Sequence, residues 1–119
     1  MKQDIQTAED IEILVDHFYS KVLQSSSLYP FFKDLNWDAH LPSIKKFWRF
    51  ILLDEAGYTE NVTQKHLHMP LTKELFTDWL LLFHQTVDEY FEGPKATLAK
   101  TRATLIGLGI QGKMNLLKD

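Results

Sequence analysis

The stretch KHLHMPLTKELFTDWLLLF, residues 65–83, joins a pair of histidines to a strongly apolar segment. Thr72 stands just before the apolar segment, and a threonine in that position is a good N-cap for a helix. Apolar residues then recur at intervals of three and four, the spacing of one helix face: Leu75, Phe76, Trp79, Leu80, Phe83 and Val87. We therefore predict an amphipathic helix that begins after Thr72 and ends at the Glu-Gly-Pro sequence of residues 92–94.

Two helices with the same periodicity are predicted before this one. The first begins after Thr7, and its apolar face carries Ile11, Leu14, Val15, Phe18 and Val22. The second lies within NWDAHLPSIKKFWRFILL, residues 36–53, with Asp38 as its N-cap and Pro42 in its first turn. Its apolar face carries Leu41, Ile44, Trp48, Ile51 and Leu52. An alternative start, with Leu41 as the cap, would leave His40 outside this helix.

A last helix is predicted after Pro94, with an apolar face of Leu98, Ala99, Ala103, Ile106 and Ile110. It also contains three glycines that weaken it, so we expect its end either to fray or to pack closely: Gly107, Gly109 and Gly112. A shorter helix is predicted from about Asn61 to Met69, where Pro70 ends it. No segment alternates in the way typical of a strand. The chain is therefore expected to form one all-α domain over residues 1–119.

The composition narrows the class of protein. A net charge of −3 argues against nucleic acid as the main partner, since phosphate binding needs a concentrated basic surface. Because the chain has no cysteine, disulfides, thiolate metal sites, iron–sulfur clusters and thioether attachment of a cofactor are excluded. No apolar run approaches the roughly 20 residues that span a bilayer, and the first ten residues show no signal core. We expect a cytoplasmic protein without a membrane partner.

The five histidines form no familiar metal-binding motif. None lies four residues from another, as in H-E-x-x-H, and none completes a Glu-x-x-His pair. His66 shares a helix face with Val62 and Met69, so it is either a buried structural histidine or a ligand that faces an apolar cavity. Spacing alone favours the structural role. His68 lies about 160° further round the same helix, so the two histidines cannot face one cavity.

Two aromatic residues bring polar groups into apolar stripes. Tyr19 lies between Val15 and Val22, and Trp79 lies in the middle of its own stripe. When such rings are buried, the hydroxyl and the indole N–H need partners. Each residue alone is best explained by packing, but together they could donate hydrogen bonds into one apolar pocket. His40 is either a third donor or a solvated residue of the first helical turn.

Other residues have two interpretations at this stage. Four aromatic residues are most simply core: Phe31, Phe32, Phe47 and Trp48. Four basic residues form a solvated face, or border the mouth of a pocket and meet a carboxylate there: Lys45, Lys46, Arg49 and Lys65.

Five short motifs, in their order and spacing, resemble the truncated haemoglobins of the third group. They are HFYSKV (17–22), LYPFF (28–32), HLPSIKKFW (40–48), KHLHMPL (65–71) and FTDWLLLF (76–83). The resemblance covers most of the chain, from about Ile11 to Ala103. It implies a two-over-two helical sandwich around haem b (iron protoporphyrin IX), held by apolar burial and one bond from the protein to the iron.

The same resemblance assigns roles to individual residues. It implies that His66 is the proximal ligand of the iron, and that Tyr19, His40 and Trp79 contact ligands on the distal side. Besides His66, the residues expected to contact haem are Phe31, Phe32, Ile44, Phe47, Trp48, Lys65, Met69 and Trp79, with Phe32 (or Phe31) packed on the haem face. In a dry pocket, hydrogen bonds from Tyr19 and Trp79 to bound dioxygen would slow its escape.

The resemblance implies a haem protein that reversibly binds dioxygen and other diatomic ligands such as nitric oxide and carbon monoxide. Tight binding would suit oxygen chemistry, nitric oxide handling or sensing better than bulk oxygen transport. One alternative is a haem-dependent enzyme, with peroxidase-like or nitric oxide dioxygenase activity, that takes electrons from an external reductase. The other alternative is a cofactor-free helical interaction module whose aromatic residues are plain core.

Overall fold

A computed structural model describes residues 2–58 and 71–114, and the regular structure in these two ranges is entirely helical. Its helices are α1 (Ala8–Gln24), α2 (Tyr29–Phe32), α3 (Trp37–Leu53), α4 (Lys73–Tyr90) and α5 (Pro94–Lys113). The predicted all-α class is confirmed. The short helix predicted from about Asn61 to Met69 lies outside the described residues.

The predicted caps of α1 and α4 are confirmed. Thr7 and Asp10 form a capping box, in which the Asp10 N–H donates to the Thr7 hydroxyl over 3.2 Å and the Thr7 N–H donates to the Asp10 carboxylate over 3.1 Å. Thr72 accepts from the Leu75 N–H over 3.3 Å. Both helices therefore begin where side chains satisfy N–H groups that have no partner within the helix.

The start of α3 differs from the prediction. Asn36 is the N-cap, and its carbonyl accepts from the His40 N–H over 2.9 Å, so His40 lies inside the helix. Asp38, predicted to be the cap, lies instead in the first turn, where its carboxylate complements the helix dipole. The earlier start moves Pro42 into the second turn, where proline removes a backbone hydrogen bond. The first turn of α3 is consequently held by fewer backbone bonds than usual.

A face of small residues on α5 allows close packing. The buried residues of this helix are Ala96, Ala99, Ala103, Gly107, Ile110 and Gln111. A Cβ atom at Gly107 would lie 3.4 Å from a methyl carbon of Leu80 on α4, so glycine permits the close approach of the two helices. Leu98, predicted on the buried face, is exposed, because the face turned inward is centred on the alanines.

The four long helices pack as two pairs. In one pair α1 contacts α3, in the other α4 contacts α5, and the pairs meet where α1 packs on α4 and α3 packs on α5. Aromatic rings fill the centre: the Phe83 ring lies 5.1 Å from the ring of Phe18, 5.0 Å from that of Trp48 and 5.7 Å from that of Trp79. None of the helices described is long and apolar enough to cross a membrane.

The segment before α1 caps α5. The Asp4 carboxylate accepts from the backbone N–H groups of Lys95 and Ala96 over 3.0 and 2.8 Å, while Ile5 is fully buried beside it. Gly93 occupies the N-cap position with φ of 143°, and a Cβ atom there would lie only 2.6 Å from Asp4. Glycine is therefore required at this helix start both for its backbone conformation and for space.

Replacing Asp4 with alanine is expected to lower the free energy of unfolding by about 1 kcal/mol near neutral pH, since a lost cap typically costs this much. Burial alone would raise the pKa of the Asp4 carboxyl, but the N–H groups of Lys95, Ala96 and Ile5 and the Lys95 charge hold the pKa below its ordinary value. A carboxyl whose pKa is lowered by folding stabilises the folded protein at pH values above its pKa in the unfolded state, about 3.9. This stabilisation is lost as the pH falls through the lower pKa of the folded state. Denaturant titrations at several pH values measure both effects.

The control is Asp88→Ala, which removes an exposed carboxylate that is paired with Lys100. An exposed ion pair contributes little to stability, so Asp88→Ala should lower the free energy of unfolding by less than about 1 kcal/mol. Equal losses in the two variants, or an Asp4→Ala difference that does not shrink in acid, would contradict the capping role.

Candidate functional site

The described helices border a cavity of about 440 Å³. Aromatic and aliphatic side chains from α1, α3, α4 and α5 form most of its wall, and no described residue of the wall is Asp, Glu, Lys or Arg. The described residues of the wall are Tyr19, Leu28, Phe32, Leu35, Asn36, Ala39, His40, Ser43, Ile44, Phe47, Trp48, Tyr58, Leu71, Leu75, Phe76, Trp79, Ile106, Gly107 and Ile110. Such a lining suits a flat, mostly apolar ligand that needs a few oriented polar groups.

Tyr19 and Trp79 meet on this wall, although they come from α1 and α4. Tyr19 is buried, and burial raises the pKa of its hydroxyl, while a hydrogen bond from the Trp79 side chain acts in the opposite direction. An indole N–H can only donate, so Trp79 leaves the Tyr19 O–H able to donate a hydrogen bond to another group. The raised pKa widens the pH range over which the Tyr19 hydroxyl stays neutral.

One face of α3 supplies the polar part of the wall. Asn36, Ala39, His40, Ser43 and Phe47 follow one another at intervals of one, three and four residues and all line the cavity. The His40 ring is held edge-on against the Trp37 ring, at 5.5 Å between centroids. The imidazole, predicted as a distal group, thus reaches the same cavity as Tyr19 and Trp79.

The structure gathers most of the residues predicted for the pocket. Those that line the cavity are Tyr19, Phe32, His40, Ile44, Phe47, Trp48 and Trp79. Of the two alternatives Phe31 and Phe32, only Phe32 is part of the wall, whereas Phe31 packs half-buried against the core. Lys65, His66 and Met69 lie outside the described residues, and their roles stay predictions.

Two of the basic residues considered for the mouth of the pocket have partners on the surface. Lys45 pairs with Asp16 at 3.0 Å, and the Arg49 Nε donates to Glu55 over 2.6 Å. Lys46 is exposed, and its side chain lies near Gly57. None of the three contributes to the wall, so these positions follow the solvated-face interpretation.

Several wall residues were not recognised in the sequence as part of a site. A signal existed for Asn36, Ala39 and Ser43, because they stand three or four residues from His40 on one helix face. Tyr58 and Leu71, which come from segments outside the helices, and Gly107, from a distant helix, carry no comparable local signal. Likewise, Trp37 contacts Tyr19 and His40 without lining the cavity, and no periodicity marks it.

Comparison with known proteins agrees with this architecture. No protein-family model matches the chain. The chain is 30% identical to the group 3 truncated hemoglobin ctb of Campylobacter jejuni, and the alignment covers 96% of this chain and 95% of that protein. It also resembles the crystal structure of group III truncated hemoglobin from Campylobacter jejuni, with a TM-score of 0.85 at 29% identity, over 96% of this chain and 95% of that one. The chain therefore belongs to the group III truncated haemoglobins, which are globin-type haem proteins, and its fold is the two-over-two helical sandwich of that family.

Proposed function

We propose that the protein holds haem b in the cavity and reversibly binds dioxygen and other diatomic molecules there. The observation that carries this proposal is the pair formed by the buried Tyr19 hydroxyl and the Trp79 indole at the wall of an otherwise apolar cavity. A purely structural core would not need two polar aromatic groups side by side at an internal space. When bound, haem supplies an iron atom to which a small diatomic molecule can attach.

The residues present fit such a cofactor. A volume of about 440 Å³ lies within the range of roughly 300–1,000 Å³ typical of cofactor sites. Phe32, Phe47 and Trp48 provide ring surfaces against which a flat macrocycle can pack. Because the chain lacks cysteine, a thioether-linked haem is excluded and the non-covalent haem b is the form proposed. We assign the axial bond to His66, and contacts with the cofactor to Lys65 and Met69.

The protein acts on the bound diatomic molecule through hydrogen-bond donors and through the apolar wall of the cavity. The Tyr19 hydroxyl donates a hydrogen bond to the partly negative atom of the bound diatomic molecule. Trp79 orients Tyr19, and its N–H can donate to the same molecule. His40 adds a third polar group to the same wall. The surrounding apolar wall excludes water, which strengthens these hydrogen bonds.

Spectra of the protein reconstituted with haem test the proposal. We expect one haem per chain, a Soret band, distinct ferric, ferrous and carbonyl spectra, and an oxygenated spectrum that reverts when oxygen is removed. Reconstituted protein without a Soret band would contradict haem binding, and a spectrum that changes irreversibly on oxygenation would contradict reversible binding. A cofactor-free interaction module is at odds with membership of a haem-protein family.

Sustained turnover separates a binding protein from an enzyme. A protein that only binds diatomic molecules shows no continuous consumption of nitric oxide or peroxide when an electron-donating flavoprotein is supplied. Continuous consumption at a rate set by the amount of this protein would instead support the enzymatic alternative with an external reductase.

A further inference from the structure

We propose that Trp37 is a positioning residue that holds Tyr19 and His40 in place around the cavity; this inference rests on the proposed function. Trp37 is the first residue of α3, is half-buried and does not line the cavity. Any effect of Trp37 on a molecule in the cavity must therefore pass through the residues that it contacts.

The Trp37 indole touches three of the wall residues at once. Its ring lies 5.3 Å from the Tyr19 ring and 5.5 Å from the His40 ring, the latter at an interplanar angle of 75°. The Phe32 ring stacks on it at 6.5 Å and 26°. These are the separations at which aromatic pairs attract one another. One side chain thus joins α1, α2 and α3 at the polar end of the cavity.

The backbone alone holds this turn of α3 weakly. Asn36 makes no side-chain cap bond, and Pro42 has no N–H to donate to the Asp38 carbonyl one turn earlier. His40 lies between these two positions. Packing of Trp37 against Tyr19 and Phe32 therefore adds restraint to the first turn, and the ring contact between Trp37 and His40 extends that restraint to the imidazole.

The test compares Trp37→Leu, Trp37→Phe and the unsubstituted protein, all as haem-loaded protein. The control is Tyr29→Leu, which removes an aromatic ring from the neighbouring helix α2 at a position that is 46% exposed and outside the cavity wall. The C–O stretching band of the carbon monoxide form is the main measurement, since its frequency responds to hydrogen-bond donors near the bound molecule. The rate of dioxygen release is the second measurement.

We expect Trp37→Leu to broaden or split the C–O band and to speed dioxygen release roughly threefold to tenfold, the fold-change that corresponds to loss of one or two aromatic contacts. Trp37→Phe, which keeps a smaller aromatic ring, should change both properties in the same direction but by less, and Tyr29→Leu should leave both unchanged. If Trp37→Leu does not fold, Trp37→Phe alone must still shift the band for the proposal to stand.

Double substitution shows whether Trp37 acts through its neighbours. In a Tyr19→Phe and His40→Leu background, the further change Trp37→Leu should have little additional effect on dioxygen release. A full additional effect, or a Trp37→Leu protein identical to the control, would overturn the positioning role while leaving haem binding intact. An unsubstituted protein that takes up no haem would overturn both this inference and the proposed function.

Discussion

A His66→Ala variant loaded with haem is expected to lack the bond from imidazole to iron and to bind haem at least about 100-fold more weakly, since even residues that only support a metal ligand change affinity by 10- to 100-fold. Two other histidines are placed away from the cavity. The His17 ring contacts the Tyr90 ring at 4.5 Å between centroids, and its Nδ1 lies 3.1 Å from the Tyr90 hydroxyl, while His84 Nε2 lies 3.1 Å from the Thr104 hydroxyl. Neither lines the cavity.

The remaining histidines are His40, His66 and His68. His40 lies on the same wall as Tyr19 and Trp79, the side assigned to the diatomic molecule. Among the described residues, no cluster of three or more His, Asp or Glu side chains is placed to hold a metal ion. Of His66 and His68, helical spacing predicts that His66 shares a face with apolar residues. An iron ligand in an apolar pocket is expected on such a face.

His68→Ala is the matched control, because it removes the same group two residues away. We expect its ferrous and carbonyl spectra to equal those of the unsubstituted protein, whereas the His66→Ala spectra should change and should recover when free imidazole is added. The opposite pattern, with ligation lost only in His68→Ala, would assign the axial bond to His68.

The second large effect is expected in the escape of bound dioxygen. Replacing Tyr19 with phenylalanine removes one donated hydrogen bond in a water-poor cavity and should speed release roughly 10- to 100-fold, since bonds to partly charged groups contribute about 1.5–3 kcal/mol. Trp79→Phe should speed release by a similar or smaller factor, because it removes the indole N–H that orients Tyr19. Stopped-flow measurement of dioxygen release checks both changes.

The two changes should not be additive. Since Trp79 acts partly through Tyr19, the double variant is expected to release dioxygen little faster than Tyr19→Phe alone. Tyr90→Phe, which removes a hydroxyl that bonds to His17 outside the cavity, is the control and should release dioxygen at the unsubstituted rate. Release that is equally slow in Tyr19→Phe and in the unsubstituted protein would remove Tyr19 from the proposed role.

The expected pH dependence of dioxygen release follows from the direction of the Tyr19 pKa shift. Burial raises the pKa of this hydroxyl above its ordinary value of about 10, and an acid with a raised pKa stays protonated over a wider range. The Tyr19 contribution to dioxygen retention should therefore be constant from about pH 6 to about pH 9. A ratio of release rates between Tyr19→Phe and the unsubstituted protein that changes within this range would contradict this prediction.

The long helices were predictable because each carries its own signals. Thr7 and Thr72 mark helix starts by local chemistry, and the apolar stripes of α1 and α4 have a clear helical period. The four-residue helix α2 was not predicted, since so short a segment has no period to detect. Asn36 was overlooked as a cap because Asp38 is an equally good candidate by residue type, and tertiary packing of Trp37 favours the earlier start.

The site was only partly visible in the sequence for a related reason. Tyr19 and Trp79 could be singled out, since a polar group within an apolar stripe is a local anomaly. That their side chains meet at one cavity is a property of how α1 crosses α4, and no single segment encodes it. The exposure of Leu98 shows the same limit, since several faces of α5 are apolar and only its neighbours decide which is buried.

The cap that Asp4 provides for α5 also has a consequence for the kinetics of unfolding. It joins the Asp4 carboxylate to the backbone N–H of Ala96, 92 residues away, so it forms only after a loop of nearly the whole described chain has closed. Contacts of such long separation commonly form after the rate-limiting step of folding, and their loss then speeds unfolding without slowing folding. The first few residues of the chain are thus expected to lengthen the lifetime of the native state, and with it the time for which the proposed haem stays bound.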